Sequence, residues 1–369
     1  MLKEDTQSFN TIVIGGGQAG LVTGYYLKKR GVEFAILDAS QRVGDAWRNR
    51  WDSLRLFTPA QFCNLPGMPY PGPKHEFPPK DKMADYLESY AERFDLPIQL
   101  GTRVESLAKE GGKFVLTAGK ERYLADNVVV AMGSYQVPKI PSFAHKLDPG
   151  ITQVHAGDYR NPSQLQQGAV LVVGAGNSGA EIGLEISRDH PTWLSGRDVG
   201  HVPFRVEKPF GLHIGVPFVM RIMFHHVLTT DTAIGRKLRP KMLSQGGLLV
   251  RVKPQDLLDA GVERVPKTTG VEDGLPVVGE DHVLDVNNVI WCTGFRPDFS
   301  WIELPIFNGV ENPKEPDHER GIVPDVPGLY FVGLFFQYAL SSSILVGVGR
   351  DAEYVADHLS ARNGDMPGS

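Results

Sequence analysis

Cysteine is almost absent from this chain: 369 residues hold only Cys63 and Cys292. Two cysteines so far apart build no disulfide framework, no Cys-x-x-Cys redox pair and no zinc cluster, so dithiol chemistry is excluded. A dominant charge is lacking as well. The formal net charge is −5, from 38 Lys and Arg against 43 Asp and Glu, which argues against a broad nucleic-acid surface. Long apolar runs are also missing. The most lipid-like stretch, Phe210 to Leu228, is broken by His213, Pro217, Arg221, His225 and His226. A buried or substrate-facing helix is therefore expected there, and no membrane span. No metal site is expected, since the adjacent pair His225-His226 would point apart on a helix. The polar stretch Met1 to Asn10 has no apolar signal core, which predicts a cytoplasmic location.

Glycine, by contrast, is abundant: 41 residues, about 11% against a usual share of roughly 7%. The glycines cluster after apolar runs, and they do so twice on one plan. Thr11-Ile12-Val13-Ile14 runs into Gly15-Gly16-Gly17-Gln18-Ala19-Gly20, followed by a helix-like stretch to Arg30 and a second apolar run, Phe34 to Leu37, closed by Asp38. Ala169 to Val173 runs into Gly174-Ala175-Gly176-Asn177-Ser178-Gly179, followed by a helix-like stretch to Arg188 and then Thr192 to Gly196. Each unit closes with an apolar strand ending in glycine, at Gly133 and at Gly294. The two spans are 118 and 120 residues. Hairpins predicted around Gly111-Gly112 and Gly274 complete two βαβ units with a β-meander in each. The fold class is thus α/β with two Rossmann-like dinucleotide-binding domains.

Such glycines suit nucleotides for physical reasons. The first permits the tight turn, the second lets backbone approach a pyrophosphate, and the third lets helix and strand touch. The helix N-terminus then offers N–H donors and a positive dipole end to the phosphates. Both copies follow a predicted strand and open a predicted helix, the context that gives the motif its meaning. The residue 23 positions past the first glycine distinguishes them: Asp38 in copy one, Arg197 in copy two. A carboxylate accepts from ribose hydroxyls, whereas an arginine holds a 2′-phosphate. Copy one therefore suits FAD and copy two NADPH. Asp198, next in line, suits a free ribose hydroxyl and keeps NADH as an alternative.

With these residues in place, nearly the whole chain resembles the class B flavoprotein monooxygenases, which include flavin-containing monooxygenases, the plant YUCCA type and Baeyer–Villiger enzymes. It looks most like small bacterial members of the CzcO-like kind. Gly174 to Gly179 with Ala180-Glu181 is similar to the family's NADPH site, and Thr293-Gly294-Phe295-Arg296-Pro297 to its C-terminal Thr-Gly-Tyr motif. Gly328 to Gly333 is similar to the strand that returns to the flavin. His155, Asp158 and Tyr159 match H-x-x-x-Y of the family fingerprint, although Gly150 is displaced by one residue and the preceding Phe is missing. In the family that histidine couples domain movement to nicotinamide handling; the alternative for His155 is a hydrogen-bonded linker histidine.

The resemblance implies that FAD lies along Gly15, Gly17, Gln18, Ala19, Gly20, Asp38, Ala39, Leu54, Val104, Ala131, Gly133 and Gly333. Trp47, Arg48 and the segment Trp51 to Pro59 are expected beside the flavin ring, with Trp47 alternatively a core residue. Gln337 is expected to approach from the C-terminal side, or else to lie in a surface loop. Gly174, Gly176, Asn177, Ser178, Gly179, Arg197, Thr293 and Gly294 are expected to hold the nicotinamide dinucleotide. The catalytic candidates are Phe57, Thr58, His155 and Gln337. Phe57 occupies the place of a family asparagine in Ser53-Leu-Arg-Leu-Phe-Thr-Pro59, and a phenyl ring donates no hydrogen bond.

The implied reaction is reduction of FAD by NAD(P)H, formation of a flavin hydroperoxide with O2, and oxygenation of a small apolar sulfide, amine or ketone. The alternatives are an NAD(P)H oxidase or flavin reductase, which Phe57 keeps open, and a redox-sensing transporter regulator. The FAD domain is expected over 1–161 and 299–369, and the NAD(P)H domain over 162–298 with a helical excursion at about 204–255. Pro66 to Pro79 is expected to be an ordered loop over the active site. The oligomeric state stays open, a homodimer being one possibility.

Overall fold

Both apolar β-branched runs become buried central strands in the computed structural model, which describes residues 6–244, 247–307 and 315–365. Parts of the polar N-terminus (1–5), the excursion (245–246) and the C-terminal piece (308–314 and 366–369) lie outside the described residues. β1 (Thr6–Ile14) pairs in parallel with β2 (Phe34–Leu37) on one side and β6 (Glu121–Val130) on the other. Ile12, Val13, Ile36, Val128 and Val129 are fully buried, because a sheet covered on both faces has no polar side. α1 (Gln18–Lys29) crosses from β1 to β2 and packs on the C-terminal helix α7 (Leu345–Asp365). β3 (Ile98–Gln99) extends the sheet beyond β2, and β17 (Leu329–Phe331) adds to β6, so the end of the chain returns to the first half.

The second sheet repeats the plan around β9 (Val170–Val173), with β10 (Thr192–Ser195) and β15 (Asn288–Trp291) as its parallel neighbours. α4 (Asn177–Ile186) makes the crossover, and β11 (Glu263–Val265) extends the sheet. The repetition reaches single hydrogen bonds. Gly15 N–H donates to the Leu37 carbonyl and Gly174 N–H to that of Ser195, both at 2.8 Å. Ala131 N–H to Ile14 and Cys292 N–H to Val173 are likewise both 2.8 Å.

The expected meanders are present but are joined to their sheets differently. β4 (Ser106–Glu110) and β5 (Lys113–Ala118) turn at Gly111-Gly112, and β6 is both the third meander strand and the closing parallel strand. In the second half, β12 (Thr268–Glu272), β13 (Leu275–Val278) and β14 (His282–Val283) form a separate sheet before β15.

The halves meet at a two-stranded crossing, β7 (Val137–Pro138) against β16 (Phe295–Arg296). This corrects the expected boundary at 161/162. β8 (Thr152–His155) is an edge strand of the second sheet, paired with β15, and Ala144, Leu147 and Ile151 pack in the second core. The inserted half therefore begins before β8; an edge strand with alternating polar residues carries little apolar signal. On the return, Phe299 and Ile302 pack with the first hairpin.

The excursion is helical: a continuous helix over 209–227, π-helical at Gly211–Gly215 and Phe218–Val227, then α5 (Ala233–Ser244) and α6 (Pro254–Asp259). The first of these helices is only half buried, Met220 being covered while Phe218 is 50% exposed, so of the two expectations, a buried or a substrate-facing helix, the fully buried one does not hold. No helix among the described residues is long and apolar enough to cross a membrane.

Trp291, 1% exposed in the middle of the second sheet, donates its indole N–H to Gln153 Oε1 at 3.1 Å. Trp291→Ala is expected to lower the unfolding free energy by about 3–5 kcal/mol. Denaturant unfolding followed by far-UV circular dichroism checks this, and a loss below about 1 kcal/mol would contradict the central place given to this ring.

Candidate active site

The two glycine turns are built identically. Gly15 and Gly174 have φ of +106° and +114°, a region that favours glycine. A Cβ at Gly20 would sit 1.8 Å from the Gly15 carbonyl, and one at Gly179 1.8 Å from that of Gly174. At Gly17 and Gly176, by contrast, a Cβ would meet nothing within 4 Å. Each turn thus closes helix onto strand on one side and opens a backbone-walled space at the helix N-terminus on the other, the geometry an anion requires.

On the first half, Asp38 closes β2 and turns back over the turn. Its carboxylate accepts from Gly16 N–H and, at 2.6 Å, from Ser40 N–H. Ala39 beside it is exposed. Gln18 reaches away, donating to the Ser343 carbonyl at 2.9 Å and so tying the start of α1 to the loop before α7. Ala19 is buried against Gly333, where a Cβ would come within 2.8 Å of it. Ala131 is buried at the end of β6, Gly133 faces open space, and Val104 packs on the hairpin core.

The segment Ser53 to Pro59 is extended and alternates. Leu54, Leu56 and Thr58 face the core, while Arg55 and Phe57 face outward, Phe57 being 38% exposed. This separates two catalytic candidates. Phe57 stands on the open face. Thr58 is buried, with its hydroxyl 3.6 Å from Cys63 Sγ, because alternation turns it inward. Burial pushes the Cys63 thiol up to about 11, so it is no nucleophile at neutral pH. Trp47 is half buried against the core. Arg48 is spent on carboxylates: Nη2 lies 2.9 Å from Asp85 and 3.0 Å from Glu88 of α3 (Lys80–Arg93). Trp51, 7% exposed, keeps a buried indole N–H with no acceptor among the described residues.

On the second half, the Asn177 amide grips the excursion. It donates to the Leu248 carbonyl and accepts from Val250 N–H, both at 2.9 Å. Ser178 makes no side-chain hydrogen bond among the described residues, and Arg197 is exposed. One oxygen of Asp198 is taken by Gly200 N–H at 2.8 Å. Arg264, on β11, donates to the Gly196 carbonyl at 3.0 Å and brings a second guanidinium to the end of β10.

His155 sits where the halves cross. Its Nδ1 accepts from Gly157 N–H at 3.0 Å, which makes Nε2 the donor to the Gly294 carbonyl, also 3.0 Å. That carbonyl accepts from Lys139 N–H too, at 2.9 Å, and the Thr293 hydroxyl donates to the Lys139 carbonyl. Burial lowers the His155 pKa and keeps the ring neutral. Tyr159, fully buried, donates to Glu185 on α4 at 2.9 Å. The H-x-x-x-Y pair therefore joins the crossing to α4. Gln337 does not turn outward: it is 1% exposed, its amide oxygen accepts from Leu334 N–H within its own turn, and its amide N–H donates to the Arg320 carbonyl before β17.

Arg50 at this junction escaped sequence reading, and so did the partner of Glu181. Arg50 is largely buried with no carboxylate partner among the described residues, its guanidinium 5.4 Å from the Tyr135 ring centre and 5.3 Å from that of Phe295. Glu181, on α4, lies 3.7 Å from Arg251, which in turn donates to the Arg55 carbonyl at 3.2 Å. This chain links the second-half helix, the excursion and the outward face carrying Phe57. Glu181 had a signal, its place just after the glycine turn; the partner 70 residues away had none.

Burial pushes Glu181 up to about 7, against the pull of Arg251 and with the help of Glu207. The native state thus holds this proton more tightly than the unfolded chain, and the group's contribution to stability declines as pH rises from about 4.5 to about 7. Glu181→Gln is expected to match the parent at pH 5 and to melt about 2–4 °C higher at pH 8. Equal Tm differences at both pH values would refute a buried protonated carboxylate.

A family model described as pyridine nucleotide-disulphide oxidoreductase matches residues 12–192, from β1 to the start of β10. The chain is 43% identical to the uncharacterized CzcO-like oxidoreductase of Geobacillus kaustophilus, over 95% of this chain and 98% of that one. It is 30% identical to the probable indole-3-pyruvate monooxygenase YUCCA3 of Arabidopsis thaliana, over 95% and 86%. Among solved structures, the flavin-containing monooxygenase of Stenotrophomonas maltophilia matches with a TM-score of 0.75 at 27% identity, covering 97% of this chain and 99% of the other. The two isolated cysteines set this chain apart from the disulphide half of the family model's description. The doubled glycine turn and these likenesses together show that the chain belongs to the class B flavoprotein monooxygenases and is an oxidoreductase of that family.

Proposed function

We propose that the first half holds FAD, the second NADPH, and that the protein oxygenates a small apolar sulfide, amine or ketone with O2. The observation that carries this reading is the pair of matching phosphate cradles in a chain without a usable dithiol. Cys63 is locked in the core, and burial pushes the Cys292 thiol up to about 12. Electrons delivered by a nicotinamide thus have no cysteine pair to reduce. The residues fit both dinucleotides: the helix starts at Gly17 and Gly176 are open, and Trp51 offers an unspent N–H.

When bound, FAD supplies the redox chemistry and the activation of oxygen. The chain's own residues bind, orient and exclude water. The turn amides and helix N-termini hold the pyrophosphates, and Asp38 accepts from a ribose hydroxyl. Arg197 and Arg264 suit a 2′-phosphate, a reading favoured by the turn of Asp198 into its own loop. His155, neutral and hydrogen-bonded at both nitrogens, steadies the crossing instead of carrying a proton. Phe57 places an apolar ring where the family pattern has asparagine, and so shields without donating.

That last observation also supports a second reading, an NAD(P)H oxidase that releases hydrogen peroxide. Turnover under labelled oxygen with an aryl methyl sulfide separates the two. Sulfoxide carrying the label, in proportion to NADPH consumed, is the expected outcome. Hydrogen peroxide equal to NADPH consumed, with no labelled sulfoxide, would establish the oxidase instead. Arg197→Glu is expected to lower kcat/KM for NADPH about tenfold or more while sparing NADH. An equal loss with both cofactors would remove Arg197 from the 2′-phosphate site.

A further inference from the structure

The helix over 209–227 carries apolar residues on two faces. Its inner face seats Val216 and Met220 against Phe62 and Val206. That seat is close: a Cβ at Gly211 would fall 2.1 Å from the Arg205 carbonyl, and one at Gly215 2.6 Å from the Phe204 ring. The helix is therefore pressed onto the body of the protein. Its outer face presents Phe210, Ile214, Phe218 and Ile222, spaced four apart and 58%, 58%, 50% and 47% exposed. Twelve residues of helix make this row about 18 Å long. Large apolar side chains in a contiguous exposed row mark an interaction surface.

Charge indicates what covers it. Residues 204–244 contain seven Lys and Arg against two Asp and Glu, a net +5 within a chain of net −5. Lys208, Arg221, Arg236 and Lys237 of this segment are exposed and form no ion pair among the described residues. A second copy would meet the row through the same patch, setting basic segment against basic segment. The row also offers too little area for that: at about 200 Å² per full side chain, its half-exposed members supply roughly 400 Å². A stable dimer buries about 800 Å² per partner. Arg221 leans over Phe62 and Arg236 is bonded to the Thr230 and Asp231 carbonyls, which leaves Lys208 and Lys237 as the exposed ammonium groups. An exposed apolar ridge on a basic segment is instead the composition of an interfacial helix that lies in the headgroup region of an anionic membrane.

We propose that this outer face docks the protein on an anionic phospholipid bilayer, with Phe210, Ile214, Phe218 and Ile222 in the headgroup–acyl boundary and Lys208 and Lys237 on lipid phosphates. The docking goes beyond the oxygenation reading and does not depend on it. The test is vesicle flotation of the flavin-loaded full chain with phosphatidylcholine vesicles, with and without phosphatidylglycerol. Flotation with the anionic vesicles is expected at low salt, about tenfold above that with neutral vesicles, and is expected to fall as salt rises. The double variant Phe210→Ser/Phe218→Ser is expected to lose it while keeping its flavin content and melting temperature. Lys208→Glu/Lys237→Glu, which leaves the row intact, is expected to lose the preference for anionic lipid. Absence of flotation at low salt, or undiminished flotation of the serine variant, would overturn the proposal. So would a parent dimer that Phe218→Ser turns into a monomer in light scattering, because the face would then belong to a second copy.

Discussion

The contact on which everything else rests is the closure of a helix onto the end of a strand, where no side chain fits between them. Gly20 lies against Gly15, and Gly179 against Gly174, with backbone where a Cβ would be. That closeness brings the helix N-terminus to the strand end and leaves Gly17 and Gly176 facing open space. The order of the sheets follows from it, since the helix that starts at the turn must return to the neighbouring parallel strand. The position of Asp38, one residue past β2, follows too. An open helix N-terminus at a strand end is the consequence of a packing constraint applied twice.

Between the halves, the crossing adds polar contacts to an apolar core that runs through both of them. The Gly294 carbonyl collects hydrogen bonds from His155 and Lys139, and Tyr159 reaches Glu185 on α4. Asp52 N–H donates to the Arg160 carbonyl at 2.8 Å and the Asn161 amide to the Asp52 carboxylate at 2.7 Å, so the same linker touches the segment leading to Phe57. Directional bonds set angle and distance more strictly than burial does. The excursion is tied in the same manner, by Asn177 to Leu248 and Val250 and by Arg251 to Glu181 and Arg55. The excursion, α4 and the face carrying Phe57 therefore share one framework.

What the sequence by itself determined is the local part: two strand–turn–helix–strand units, the glycine positions, Asp38 against Arg197, both hairpin turns and the lack of a dithiol. Periodicity and the stereochemistry of glycine act over a few residues, so they can be read along the chain. The tertiary structure alone decided where long side chains are spent. Gln18 reaches Ser343, Asn177 reaches Leu248, and Gln337 reaches Arg320. Phe57 outward and Thr58 inward reverse what their polarity suggests, so the tertiary structure decided that too. It also decided that β8 belongs to the second sheet and that one helix of the excursion turns an apolar row outward. Hydrogen-bond partners more than 70 residues apart, and the side of a helix left uncovered, depend on how separate elements pack. No local pattern records that.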